Sequence, residues 1–499
     1  MPEGAGLPFG QNPPAGAQLK HDDHAFVTQN ALVSEFFPPA EFRKSVEDWL
    51  TEALARAAQC VRAGRVSPRL SAQDFDAELR GFDFARPRPA KDVLAWIIGN
   101  MVDGLVHVDH PRYFGLFNPA PTFPAQCAER IAAVFNPQLA TAKTSPFPVA
   151  LEAFLIGAVA ERLGFVPSAS GHFTTGGSEA NATAAICALT MASPEFAQDG
   201  TRAFVGQPRL YTSQAAHLAW LKIAHQCGIG RSAVRLIATD GSGRMDADHL
   251  SAAIERDLHE GDVPVMIAST AGTTGAGMID PLGQCGAIAR RNKIWHHVDA
   301  AWGGALICSE KLRPFLSGIE GADSVTIDAH KFLATTMGCG MFLTSRPESL
   351  NAAFQVTMDC MPSNAANLDP YVLSMQWSRR FIGLRLFTAL ATAGWDGYAA
   401  HVERAATMAA MLKEALLDRG WTCLNDSPAA VLCMRPPQNS PGARHIAKSV
   451  VDHGSAWISA VEFEGELTVR FCITSGETSE DDLDFLLSAL DDAMADSQS

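Results

Sequence analysis

Lys331 closes the segment Ser324-Val-Thr-Ile-Asp-Ala-His-Lys-Phe332, in which a β-forming run meets polar residues and then apolar Phe332 and Leu333. An amine at a strand end beside apolar neighbours is a nucleophile for a carbonyl group; a lone lysine elsewhere is an ordinary solvated charge. Upstream, Thr174-Thr-Gly-Gly-Ser-Glu-Ala-Asn181 runs into a helix-forming Ala-rich stretch. Gly176 and Gly177 leave backbone N–H groups free at a helix N-terminus, and Ser178 adds a hydroxyl. That set suits a phosphate, although a glycine turn capping a helix reads the same way. The spacing fits neither a P-loop nor G-x-G-x-x-G. Asp299, in His296-His-Val-Asp-Ala-Ala-Trp-Gly-Gly304, ends an apolar run, where a carboxylate is costly to bury unless paired. A protonated ring nitrogen is one such partner; a helix or turn cap is the alternative. His217, in Tyr211-Thr-Ser-Gln-Ala-Ala-His217, sits at another strand end. There an imidazole stacks on a flat ring, moves a proton, or completes a structural hydrogen bond.

In chain order these are a ring-facing histidine between an anion cradle and a strand-end carboxylate, then an amine about thirty residues on. Pyridoxal phosphate asks for that set: a cradle for its phosphate, a carboxylate to keep its ring nitrogen protonated, an amine for its aldehyde and a partner for its ring face. A rival drawing makes His296, His297, Asp299, Asp328 and His330 the ligands of a metal hydrolase. It leaves Lys331 and the glycine loop without a role.

The elements that must hold these residues alternate between strands and helices from about 150 to 345. β-Rich runs fall at Arg209–Ser213, Ala233–Ala238, Val263–Thr270, Trp295–Ala300, Ser324–Ile327 and Met341–Thr344. This predicts an α/β body with a mostly parallel sheet, whose ligands bind at the carboxyl ends of the strands. Residues 1–20 read as a flexible Pro/Gly-rich arm and 21–118 as a helical segment, with apolar helical spacing over 40–63 and 90–106. Residues 119–380 form the large domain. Residues 381–499 form a small α+β domain, with long helices over 376–419 broken near Gly394–Gly397, strands at Ala430–Met434 and Leu467–Ile473, and a closing helix after Ser479. The 499 residues carry a net charge of −15, 19% charged and 47% hydrophobic residues, an ordinary soluble-enzyme profile that speaks against nucleic-acid or anionic-membrane partners. Eleven dispersed cysteines without a C-x-x-C pair read as reduced and structural. No signal peptide or apolar span stands out, so the cytoplasm is the expected location.

The segments TTGGSEAN, YTSQAAH, TAGTTGAGMIDPL, WHHVDAAWGG, DSVTIDAHKFL and QWSRRFIGLRLF together resemble the group II pyridoxal-phosphate-dependent decarboxylases, the family of aromatic amino acid and glutamate decarboxylases. The resemblance runs from about residue 35 to the C-terminus. It implies the aspartate-aminotransferase-like fold (fold type I). It also implies decarboxylation of an L-amino acid to an amine and CO₂, with Lys331 as the Schiff-base lysine, Asp299 as the ring-nitrogen partner and His217 as the stacking histidine. Gly176, Gly177 and Ser178 match the phosphate loop, His330 a residue near the phosphate and the lysine, and Thr273 and Ala301 residues lining the cofactor. Asp328 stands where relatives often have Asn. Family decarboxylases carry a tyrosine proton donor on a loop ahead of an Arg-rich helix start; here the loop is Asn351–Ser378 and Tyr371 is its one tyrosine. Where that tyrosine is replaced, relatives make an aldehyde with oxygen instead, so aldehyde synthase and aminotransferase activities stay open, as does a non-catalytic regulatory homologue. The substrate-side loop falls at His110–Phe123. Its Tyr113, Phe114 and Phe117 suit an aromatic or apolar side chain, whereas Arg112 and Lys143 would suit an acidic one. Arg470 stands where fold relatives place a carboxylate-facing arginine. Family members are homodimers with the active site at the subunit interface.

Overall fold

Seven strands form one sheet, most of them buried: β1 (Ser170–Thr174), β2 (Pro208–Ser213), β3 (Val234–Ile237), β4 (Val263–Thr270), β5 (Trp295–Asp299), β6 (Ser324–Asp328) and β7 (Gly340–Thr344). The computed structural model describes residues 33–34, 36–356 and 369–495, so the arm expected over 1–20 lies outside the described residues. The strand order is β1-β7-β6-β5-β4-β2-β3. β6, β5, β4, β2 and β3 are parallel neighbours, while β7 runs antiparallel to both β1 and β6. Both faces are covered by helices, which is why the central strands read as near-continuous apolar runs instead of alternating ones. Pro264, inside β4, cannot donate to the ladder, and the β2–β4 register slips beside it, between Arg209 and Leu210. The helix Gly177–Ala192 packs closely on the sheet because its buried residues are small: Ala180, Asn181, Thr183, Ala184, Ala185 and Ala188.

The described residues fall into two compact units, one reaching Cys60 and including Ala72–Gly104, the other made of Val61–Ser71 and Leu105 onward. The first holds most of the helix Ala40–Ala63 together with Ala72–Arg80 and Ala90–Gly104, with Phe82 and Trp96 packed at 4.5 Å between ring centroids. The second holds the seven-stranded sheet and a four-stranded antiparallel sheet, β8 (Thr422–Cys423), β9 (Val431–Arg435), β10 (Ser459–Phe463) and β11 (Glu466–Cys472), in the order β10-β11-β9-β8. The helix Ala443–His453 packs on β10 and β11 and on the closing helix Glu480–Ala495. One apolar core joins the two sheets through the long helix Leu384–Asp418, whose backbone leaves helical geometry at Gly394 (φ 69°). That helix starts at Leu384, later than the sequence suggests. Buried Glu152 takes the Gly383 N–H at 2.8 Å and the Arg379 guanidinium at 2.6 Å, which holds the preceding segment out of the helix. The ten described cysteines are free thiols, and no helix among the described residues is long and apolar enough to cross a membrane.

Candidate active site

The strands β1, β2, β4, β5 and β6 end around one cavity of about 330 Å³. Past β1 the chain contributes Thr175 to Glu179, past β2 His217, and from β4 onward Thr270, Gly272 and Thr274. Asp299, Ala301 and Trp302 come from the end of β5, and Asp328, His330 and Lys331 from the end of β6. Among the described residues, Lys331 is the one lysine or arginine that lines it. Its Nζ lies 3.1 Å from Oδ2 of Asp328, whose other oxygen is buried without a partner. The turn carrying Lys331 is tied to the long helix, because Tyr398 donates to the Leu333 carbonyl (3.0 Å) and His401 Nε2 lies 3.1 Å from the Phe332 carbonyl. Arg385, 2% exposed, donates to the Met337 and Gly338 carbonyls and pairs with Glu129, fixing the far side of the same turn.

The glycine loop opens the helix Gly177–Ala192, so the N–H groups of its first turn have no acceptor within the helix. Gly177 is required by close approach: a Cβ there would lie 2.9 Å from Asp328 Oδ2 and 3.2 Å from the Ala301 methyl. Glu179 accepts from the Thr175 N–H at 2.8 Å and its hydroxyl at 2.7 Å, which shapes the loop. His217 Nδ1 accepts the Ala219 N–H at 3.1 Å, so the proton of the neutral ring sits on Nε2. Asp299 is buried; burial pushes its carboxyl above the ordinary range, while the Lys331 charge and a 2.7 Å hydrogen bond from Asn181 pull it back down. A buried carboxylate at a cavity wall asks for a cationic ligand group. Thr270 Oγ1, also at the wall, is buried with no partner in the chain. An anion-binding helix start, a carboxylate seeking a cation, an unpaired hydroxyl and an amine fit pyridoxal phosphate.

Of the residues singled out from sequence, the cavity gathers Gly176, Gly177, Ser178, His217, Asp299, Ala301, Asp328, His330, Lys331 and Phe117. The others stand elsewhere. Thr273 closes a turn, its hydroxyl accepting the Met278 N–H at 3.0 Å, and neighbouring Thr274 lines the cavity instead. Phe114 is fully buried core, and Tyr113 packs on Trp457 at 5.5 Å. Arg470 is buried with its guanidinium on the Thr274 and Gly115 carbonyls, at 2.5 and 2.6 Å, and 5.7 Å from the Phe117 ring centre. Tyr371 is buried against Trp377 at 5.0 Å and does not line the cavity; residues 357–368 of its loop lie outside the described residues. Arg112 stacks on Phe485 and Lys143 is exposed. The histidines of the metal drawing are otherwise engaged, His296 with Ser269 and His297 with Ser324 and Asn181. Sequence reasoning passed over Asn181, Thr270 and Trp302. Asn181 carried a signal, since a poor helix former inside a helix calls for a buried partner.

Residues 83–430 match the model of the pyridoxal-dependent decarboxylase conserved domain. The chain belongs to that family. Its curated relatives include the acidic amino acid decarboxylase of Bos taurus, 29% identical over 412 residues, which cover 77% of this chain and 78% of the relative. Another is the L-2,4-diaminobutyrate decarboxylase of Rhizobium meliloti (strain 1021), 32% identical over 64% of each chain. In fold it is similar to Oryza sativa TDC, solved with PLP and tryptamine, with a TM-score of 0.87 at 20% identity, covering 93% of this chain and 99% of that one. The protein is thus a pyridoxal-phosphate-dependent amino acid carboxy-lyase of fold type I, as the motifs implied.

Proposed function

We propose that the protein decarboxylates an L-amino acid with an aromatic or apolar side chain to the amine and CO₂. The observation that carries this reading is the lining of the cavity. Phe117 packs on Trp302 at 4.7 Å, Trp302 stacks on Phe332 at 5.3 Å, and among the described residues Lys331 is the one lysine or arginine at the wall. Neither Arg112 nor Lys143 lines it, so among the described residues no cation besides Lys331 is offered to an acidic side chain. Bound pyridoxal phosphate supplies an electron-withdrawing ring that takes up the electrons of the bond to the departing carboxylate. The chain's own part is to hold and orient. Lys331 would hold the cofactor through its side-chain amine, the one lysine at the wall among the described residues. Gly176, Gly177 and Ser178 take the phosphate, with His330 and Ala301 beside them. Asp299 keeps the ring nitrogen protonated by a fixed negative charge. His217 covers a ring face with Nε2–H available. Arg470 sets the wall by fixing Thr274 and the 115–117 segment.

A second copy of the chain fits a broad apolar face on the helices Phe123–Phe135 and Pro146–Leu163. Phe123, Val134, Phe135, Phe147 and Phe154 are each more than 65% exposed on these two helices, and large exposed apolar side chains are what a partner copy covers. Phe135→Glu should yield a monomer in sedimentation; an unaltered dimer would remove this face. Tyr371, on the loop ahead of the helix Leu384–Asp418, would supply the proton that completes the amine, and Tyr371→Phe should then suppress amine release. Purified protein with added pyridoxal phosphate, offered a panel of amino acids, should release CO₂ fastest from aromatic or apolar ones. A preference for glutamate or aspartate would overturn the substrate reading, and aldehyde or oxo-acid in place of amine would overturn the reaction.

A further inference from the structure

Asp299, which as an anion can only accept, receives its hydrogen bond from the first of a chain of buried groups. The Trp295 indole N–H can only donate, and it reaches Ser324 Oγ at 2.8 Å. Ser324 Oγ lies 2.8 Å from His297 Nδ1 and can give it its proton, while Thr326 Oγ1 stands 3.4 Å from Nε2. That leaves the proton of the neutral imidazole on Nε2, which lies 3.1 Å from Asn181 Oδ1. With its oxygen so engaged, the Asn181 amide must aim its NH₂ at Asp299 Oδ2, 2.7 Å away. Ser324 and His297 are fully buried and Asn181 is 2% exposed, so water does not compete for these bonds. Trp220 holds the His297 ring edge-on at 5.7 Å. Burial pushes His297 down to about 3, which keeps it neutral and the direction of the chain unchanged at ordinary pH.

The arrangement opposes a specific hazard. Buried Asp299 would otherwise take a proton itself, and a neutral carboxyl could not hold a cationic ring nitrogen. A donor locked on Oδ2 stabilises the anion alone. The Ala301 N–H, 3.2 Å from Oδ1, occupies the other oxygen. Lys331 and Asp328 are the charged side chains that act on Asp299 across the cavity, the first favouring the anion and the second opposing it.

We propose that Asn181, oriented by His297 and Ser324, is a positioning residue that keeps Asp299 ionised and so fixes the protonation of the cofactor's ring nitrogen. This rests on the assignment of Asp299 as the ring-nitrogen partner. The test uses full-length holoenzyme loaded with ¹⁵N-labelled pyridoxal phosphate and reads the ring-nitrogen NMR signal, together with the cofactor's dissociation constant. In the wild type the nitrogen should carry a proton. Asn181→Leu, similar in volume and without the donor, should lose the N–H signal and weaken cofactor binding about tenfold, the size expected for one hydrogen bond to a charged group. His297→Phe, which keeps the ring volume but frees the Asn181 amide to turn, should move both readouts the same way and decides the matter if the leucine variant does not fold. A ring nitrogen as fully protonated in these variants as in the wild type would overturn the proposal. An unprotonated nitrogen in the wild type, or an Asp299→Asn variant indistinguishable from it, would instead remove the Asp299 assignment beneath it.

Discussion

At the scale of single residues, the cavity depends on atoms that approach closely with no slack. Gly177 is one case, since a methyl there would press on Asp328 Oδ2 at 2.9 Å, with the Ala301 methyl behind it at 3.2 Å. Gly177→Ala should therefore spread the phosphate cradle, at a cost on the order of 1–3 kcal/mol for an overpacked contact. Cofactor affinity, measured by equilibrium dialysis, should fall about tenfold or more; unchanged affinity would show that the cradle yields freely. The residues that declare their chemistry by type, Lys331, Asp299 and His217, are legible in the sequence because amine, carboxylate and imidazole at strand ends have few uses together. Asn181 and Thr270 are not, because an amide or a hydroxyl has many uses and only the fold shows which atom it meets. Thr273 and Thr274 make the same point: two identical neighbours differ in role because a turn to Met278 consumes the first hydroxyl.

At the scale of elements, the turn after β6 presents Lys331 at some expense in backbone energy. Ala334 closes it with φ +51°, its N–H on the Lys331 carbonyl at 2.9 Å. A left-handed alanine costs roughly 1–2 kcal/mol, and glycine regains part of that against its greater freedom in the unfolded chain. Ala334→Gly should thus raise stability by about 0.5–1 kcal/mol in urea unfolding; a loss would mean that the methyl's packing outweighs the strain. Strands β2 to β7 stand within one or two residues of the β-rich runs read from sequence, because strands covered on both faces are rich in apolar and β-branched residues. β1 escapes that reading. Its Ser170-Gly-His-Phe-Thr174 is held by pairing with β7 and not by composition. The start of the long helix is not legible locally for a related reason, since Glu152 lies more than two hundred residues from the Gly383 N–H it captures.

At the scale of the whole molecule, burial of histidines links folding to pH. His172 is buried, and removal from water, with the Arg379 charge adding to it, pushes its ring down to about 4. A base whose folded value lies below its unfolded one of about 6.5 contributes stability above that pH and loses it as pH falls toward 4. His172→Phe should accordingly flatten the fall in stability between pH 6.5 and 4, by an amount on the order of 3 kcal/mol at the acid end. An equally steep fall in the variant would place the proton uptake elsewhere. The central claim for the molecule is that its cofactor is carried on Lys331, and reduction with borohydride followed by peptide mass spectrometry tests it most directly. The pyridoxyl mass should appear on Lys331 and vanish from the protein in Lys331→Ala. A label on another lysine, or an equal label in that variant, would contradict it.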